Sequence, residues 1–239
     1  MRTLVVIPTY DEADNIGEAI ARVRAAAPEA SVLVVDDNSP DGTAGVVEAL
    51  AAGDDAIAVL RRPGKAGLGT AYRDGFAWGR ERGFEVLVEM DADLSHDPAA
   101  LPSLLAEVEA GNDLVIGSRY VPGGSIPDWP WHRKALSKWA NRYAGAMLRL
   151  PVGDSTAGYR AYRGSLLDRL DLPSVRADGY GFQIEMTYRS VGLDADIAEV
   201  PISFSDRTLG TSKMSSRIIV EAFVLVTLWG LRDRVTRWR

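Results

Sequence analysis

The stretch Glu85-Val86-Leu87-Val88-Glu89-Met90-Asp91-Ala92-Asp93-Leu94-Ser95-His96 decides how this chain is read: a short apolar run ends in two aspartates one residue apart. The run has the length and composition of a buried strand. Alternate side chains of a strand share a face, so a strand continued through the pair would point Asp91 and Asp93 the same way. Two hard oxygen donors at a strand's carboxyl end make a seat for Mg2+ or Mn2+ carrying a diphosphate. The same residues also suit a turn that stops a strand and caps the next helix. The local sequence leaves both readings open, and the surroundings have to separate them.

Upstream, the pattern of strand, polar loop and helix repeats. Residues 4–7 are an apolar run stopped by Pro8, followed by Thr9-Tyr10-Asp11-Glu12 and a helical periodicity over about 15–27. Residues 31–35 end in Asp36-Asp37-Asn38-Ser39-Pro40-Asp41-Gly42-Thr43, with a helix to about 52. Residues 56–60 lead through Arg61-Arg62-Pro63-Gly64-Lys65-Ala66-Gly67-Leu68-Gly69 into a helix over about 70–82. Such alternation predicts an α/β fold, a parallel sheet covered on both faces, with ligands at the carboxyl ends of the strands. Acid-bearing loops at 10–12, 36–41 and 91–95 then fall on one rim.

Downstream, the spacing predicts a helix over 98–110 and a strand over 114–116 entering Gly117-Ser118-Arg119-Tyr120. Residues 121–131 hold three prolines and two tryptophans and read as a loop. A long helix over 133–150 follows, on which Arg133 and Ser137 share a face, as do Lys134 and Lys138. Residues 154–162 and 180–185 read as a loop and a helix start that close the pocket. An alternating strand over 197–204 contains Pro201 and belongs at an edge. The polar loop 206–213 carries Arg207 and Lys213, and a last helix over 215–234 is followed by further arginines. That helix suits an anionic membrane surface, a membrane partner, or a last place in the core. No domain boundary is evident, so residues 1–239 read as a single domain.

Composition narrows the chemistry. Of 239 residues 46% are hydrophobic, enough for a sizeable core, and the net charge of -6 argues against general nucleic-acid binding. There is no cysteine and only His96 and His132, which excludes disulfides and disfavours a zinc site. The first apolar run is too short for a signal peptide, and no stretch reaches the roughly 20 apolar residues of a membrane span. The expectation is a cytoplasmic protein that visits a membrane from one side.

Four motifs carry a resemblance. Ile7-Pro8-Thr9-Tyr10-Asp11-Glu12, residues 35–43, Met90-Asp91-Ala92-Asp93-Leu94-Ser95-His96 and Gly117-Ser118-Arg119-Tyr120 resemble, in order and spacing, the dolichol-phosphate (polyprenol-phosphate) mannose synthases. These are inverting family 2 glycosyltransferases with the GT-A fold, and the likeness extends through residues 129–137 and 207–213. It implies a Rossmann-like, mostly parallel sheet, GDP-mannose as donor and a polyprenyl (dolichyl-type) phosphate as acceptor. By position it implies that Pro8, Tyr10, Glu12, Val35 and Asp37 line a nucleoside pocket. Asp91 and Asp93 would hold Mg2+ or Mn2+, with Ala92 contributing backbone and Ser95 at the third ligand position, which is glutamine in some relatives. Arg119, Arg133 and Ser137 would hold the acceptor phosphate, and Arg207 and Lys213 would meet the nucleotide phosphates. Many relatives continue into transmembrane helices where this chain ends, so a membrane surface or a separate membrane-anchoring protein is the expected partner, the enzyme lying peripherally on the cytoplasmic face.

The residue types suit that chemistry. A departing diphosphate gains negative charge, which a metal and cations placed beforehand stabilise. A phosphate acceptor is already ionised near neutral pH and needs aim rather than a strong base, which arginine's planar fork supplies. Rival readings are a polyprenyl-phosphate glucosyltransferase using UDP-glucose, transfer to a growing polysaccharide, and a non-catalytic module that binds nucleotide sugar.

Overall fold

The apolar runs form strands β1 (Thr3–Thr9), β2 (Ser31–Asp36), β3 (Ile57–Arg61), β4 (Val86–Glu89), β5 (Leu114–Ser118), β6 (Arg160–Arg163) and β7 (Ile197–Pro201) in the computed structural model, which describes residues 1–206 and 216–236. They make one sheet in the order β3-β2-β1-β4-β6-β5-β7. Every strand runs parallel except β6, which lies antiparallel between β4 and β5. The helices are α1 (Ala13–Ala26), α2 (Thr43–Ala51), α3 (Leu68–Glu81), α4 (Leu101–Glu109), α5 (Trp131–Leu148), α6 (Gly164–Arg169), α7 (Gly179–Gly192) and α8 (Ser216–Thr236).

Strand alternation builds two cores. Val5, Ile7, Val32, Val34, Val86 and Val88 face α1, α2 and α4, whereas Leu4, Val6, Leu33, Val35 and Leu87 face α3, α6 and α7. Sheet strands buried on both faces read as continuous apolar runs for this reason. Each such side chain contributes about 1.5–3 kcal/mol relative to exposure. Helix α3 lies close to the sheet because Gly75 and Gly79 present no Cβ; one added there would stand 2.4 Å from Val6 and 2.7 Å from Leu4. A third cluster, with Ala144, Leu148, Ile184, Ala222 and Val226, seats α8 on α5 and α7.

The structure departs from the sequence reading in three places. Residues 160–163, expected as loop, are β6; a strand with arginine at both ends carries no strand signal, and Arg160 is nonetheless fully buried. The edge strand β7 stops at Pro201, after which Ser203 and Phe204 make only isolated bridges to Ser125 and His96. The helix expected over 98–110 starts as a 3-10 turn, Pro98–Ala100, capped by Asp97, whose carboxylate accepts from the Ala99 amide at 3.0 Å. Of the roles expected of it, helix α8 takes the place in the core through Ala222 and Val226, while Phe223, Val224, Leu228 and Leu231 stay exposed.

Candidate active site

The carboxyl ends of β1, β2, β4 and β5 share one rim, and β1 and β4 are neighbours where the connections turn in opposite directions, the usual ligand position of such sheets. Because β6 is antiparallel, its amino end reaches the same rim and brings the loop 154–159 there. Two cavities open on this rim. The one beside β1 and β2, about 240 Å³, is lined by Pro8, Tyr10, Glu12, Asp37, Lys65 and Ala92. The one beside β5, about 440 Å³, is lined by Ser95, His96, Arg119, Arg133, Tyr180 and Gln183. Leu68, Asp91, Asp93 and Gly179 line both.

Asp91 and Asp93 therefore sit at the seam, by a route the sequence did not reveal. Strand β4 ends at Glu89, so the pair is not in a strand at all. The chain bends through it, and Leu94 takes a left-handed conformation with φ 62°. The Asp91 amide faces His96 Nδ1 at 3.4 Å, and Asp93 accepts from the Ser95 amide at 3.1 Å. The capping reading falls to Asp97 instead. Among the described residues no group of three or more histidines, aspartates or glutamates is placed to hold a metal ion, so the protein's own ligands would be few. A small hard cation that keeps water and substrate phosphate fits such a site.

Beside β1 and β2, the resemblance singles out Asp37 from the second loop, and the three aspartates there take different places. Asp36 accepts from Thr9 and Ser39, and Asp41 from Ala13 and Thr43, so both hold the turns together. Asp37 is the one that lines the cavity; burial raises its pKa, against the opposing charge of its ion-pair partner Arg62. Val35, expected here, lies in the core with its side chain against the α3 side and lines neither cavity. Lys65 lies 4.7 Å from the Tyr10 ring centre, a contact the sequence did not suggest.

On the other side, Arg119 is buried and its fork is already engaged. Nε and Nη2 each donate to Asp154 at 2.7 Å, and Nη2 also donates to Thr156. Burial alone would raise Asp154, but the hydrogen bonds and charge of Arg119 hold it below the usual carboxylate range. Arg133 lies 3.7 Å over the Trp129 ring and pairs with Asp206 at 3.1 Å, so it is half-exposed and aimed. Ser137 does not reach this cavity: it accepts from the Tyr120 hydroxyl at 2.6 Å and lines a neighbouring apolar groove. Arg207 and Lys213 lie outside the described residues.

A buried polar layer supports the floor, and little of it was legible in sequence. Arg160 donates to the carbonyls of Ser155, Ala157 and Gln183 and to Thr187, tying the loop before β6 to α7. Glu89, the one charge inside the β4 run, accepts from Gln183 at 2.6 Å; burial raises its pKa to about 7 against the charge of Arg160. Burial likewise pushes His96 down to about 4, with the charge of Asp93 opposing and that of Arg119 reinforcing. The unfolded histidine takes up a proton near 6.5 while the folded one stays neutral, so stability is complete above that value and falls as pH drops from 6.5 toward 4. The expected loss is about 1.4 kcal/mol per pH unit. Urea melts in chelator across this range should show that slope in the parent chain and a flatter one in His96→Gln.

The family model for glycosyl transferase family 2 matches residues 4–171. The chain is 52% identical over 239 residues to the polyprenol monophosphomannose synthase of Mycolicibacterium smegmatis, covering all of this chain and 90% of that one. It is 53% identical over 234 residues to the undecaprenyl-phosphate mannosyltransferase of Micrococcus luteus, covering 98% and 96%. To the dolichol-phosphate mannosyltransferase of Pyrococcus furiosus it is 35% identical, covering all of this chain and 67% of that one. Its fold is similar to that of glucosyl-3-phosphoglycerate synthase from Mycobacterium tuberculosis, solved with Mn2+ and UDP-glucose, with a TM-score of 0.66 at 23% identity over 95% of this chain and 77% of that one. The chain belongs to glycosyl transferase family 2, in the group of the polyprenyl-phosphate mannosyltransferases.

Proposed function

We propose that this enzyme transfers mannose from GDP-mannose to a polyprenyl phosphate with inversion, giving polyprenyl phosphate β-mannose and GDP. The observation that carries the reading is an apolar groove between α5 and α8, lined by Leu136, Trp139, Tyr143, Phe223 and Val226. It shares Trp129, Arg133, Thr156 and Tyr180 with the β5-side cavity. An acceptor that is a phosphate at one end and hydrocarbon at the other fits this pairing, and a polysaccharide does not. The names of the relatives point the same way.

Arg133 and the remaining donors of Arg119 hold the acceptor phosphate, and Asp154 fixes the orientation of Arg119. Thr156, with its hydroxyl between Arg119 and Asn141, shapes the same wall. On the donor side, Glu12 and Asp37 are acceptors of the type that meets guanine's two edge donors, N1–H and the 2-amino group; uracil offers one. Mg2+ or Mn2+ fits Asp91 and Asp93, with Ser95 beside them, whose buried hydroxyl has no hydrogen-bond partner among the described residues. When bound, such a cation stabilises the negative charge of the leaving diphosphate. Arg207 and Lys213 are assigned to the same phosphates from the sequence.

No helix among the described residues is long and apolar enough to cross a membrane. Trp131, Leu136, Trp139, Phe223, Val224 and Leu228 nevertheless expose apolar surface on α5 and α8, with Arg133, Lys134 and Lys138 near it. This face meets the bilayer that supplies the lipid, directly or beside a separate anchoring protein. The test is transfer of label from GDP-mannose or UDP-glucose to a polyprenyl phosphate, with Mg2+ or Mn2+. Label should enter the lipid fraction from GDP-mannose. Entry only from UDP-glucose overturns the donor, and equal transfer to a phosphate lacking the prenyl chain overturns the groove.

A further inference from the structure

We propose that Asp178 and Gln183 bind the hydroxyls of the donor's sugar ring and so determine which hexose is transferred. This rests on the donor reading above. Transfer requires the sugar between the leaving diphosphate and the incoming phosphate, which places it at the seam of the two cavities, where Leu68, Asp91, Asp93 and Gly179 meet.

Helix α7 starts at that seam and supplies a polar group to each side. Asp178 precedes its first residue, where an aspartate ordinarily caps its own helix, yet its side chain makes no capping bond. It crosses instead to the start of α3, where Oδ1 accepts from the Gly69 amide at 2.8 Å. The loop is shaped around the carboxylate. Gly67 has φ +99°, and a Cβ there would stand 2.4 Å from Asp178 Oδ2, so another residue would be strained and would displace the carboxylate. Asp178 lines the nucleotide-side cavity.

Gln183 lines the other cavity and is 2% exposed. Its amide nitrogen is held by Glu89, and its carbonyl oxygen has no hydrogen-bond partner among the described residues. Gly158 adjoins both groups: a Cβ there would stand at ordinary contact distance, 3.7 Å from Asp91 Oδ2 and 3.8 Å from Gln183 Nε2. The first turns of α7 thus bring a carboxylate to one cavity and an amide to the other, on either side of the seam. Sugar hydroxyls are donors, and mannose and glucose differ only in where one of them points. Acceptors fixed in position distinguish the two by leaving a buried group unpaired with the wrong epimer.

The test compares a nucleotide with its nucleotide sugar in the full chain with Mn2+, by calorimetry. Asp178→Asn keeps an acceptor for Gly69, and Gln183→Met keeps the volume; melting curves check that each folds. Each variant should bind GDP within about twofold of the parent chain, bind GDP-mannose about tenfold more weakly, and lose about tenfold of any preference for GDP-mannose over GDP-glucose. Equal weakening of GDP and GDP-mannose would make Asp178 a support for the α3 loop only and overturn the proposal. Unchanged binding of both would overturn it as well. Failure of the donor reading shows separately, as a parent chain that binds UDP and UDP-glucose in preference to the guanine pair. The same comparison within the uridine pair then decides the role of Asp178 and Gln183.

Discussion

Asp93→Ala should reduce mannosyl transfer by about 10^3-fold while the chain still folds. The loss follows from the charge that builds on the departing diphosphate: removing one preorganised stabilising group from such a site costs about 10²- to 10³-fold, and Asp93 is, with Asp91, one of the two carboxylates among the described residues that line both cavities. The structural cost is small by comparison. The carboxylate accepts the Ser95 amide, a hydrogen bond worth about 1 kcal/mol. Label transfer and a urea melt on the same preparation separate the two effects. A variant that retains a tenth of the activity, or one that loses more than about 3 kcal/mol of stability, would return Asp93 to the role of a turn residue.

Asp154→Asn should destabilise the fold by about 3–5 kcal/mol, the usual cost of removing one partner from a buried ion pair. Asp154 is fully buried and Arg119 nearly so. Both carboxylate oxygens are used, Oδ2 by the Arg119 amide and Nε, Oδ1 by Nη2 and by the Thr156 hydroxyl. Asparagine can supply only one acceptor oxygen, so its amide group would confront a guanidinium donor and leave a buried charge uncompensated. The pH dependence has a fixed sign. The folded pKa of Asp154 lies below its ordinary 3.8, so the pair's stabilisation is fully present above that value and is lost as pH falls through the lower, folded one. Denaturant melts should show an acid-side loss in the parent chain that is weaker in the variant. A change below about 1 kcal/mol at neutral pH would mean that Arg119 finds another partner.

The residues that announced themselves in sequence were those whose roles are local. Asp91 and Asp93 follow an apolar run directly, and the acid loops after β1 and β2 follow from the strand-loop-helix repeat. The residues that did not announce themselves depend on pairing across the fold. Arg160 looks like a surface cation until an antiparallel strand buries it under α7, and Asp154 becomes a site residue only through Arg119. Asp178 carries no local signal, and its contact is made across the fold with the start of α3. Ser137 is the mixed case: helical spacing places it beside Arg133, and both line the apolar groove between α5 and α8, but its hydroxyl is taken by the Tyr120 hydroxyl and does not reach the β5-side cavity. The signal that was present and unused is Glu89, an acid inside an otherwise apolar strand, which marks the polar floor.

The four residues of β6 have a geometric consequence. They separate β4, which leads into Asp91, from β5, which leads into Arg119, by two strand spacings rather than one. At about 4.8 Å per spacing, the strand ends that lead into Asp91 and Arg119 stand roughly 10 Å apart at the sheet. A direct β4–β5 pairing would halve that gap. The reversed strand thus works as a spacer: hydrogen-bonded on both edges, it keeps the loops that carry Asp91 and Arg119 apart across the cavity that both residues line.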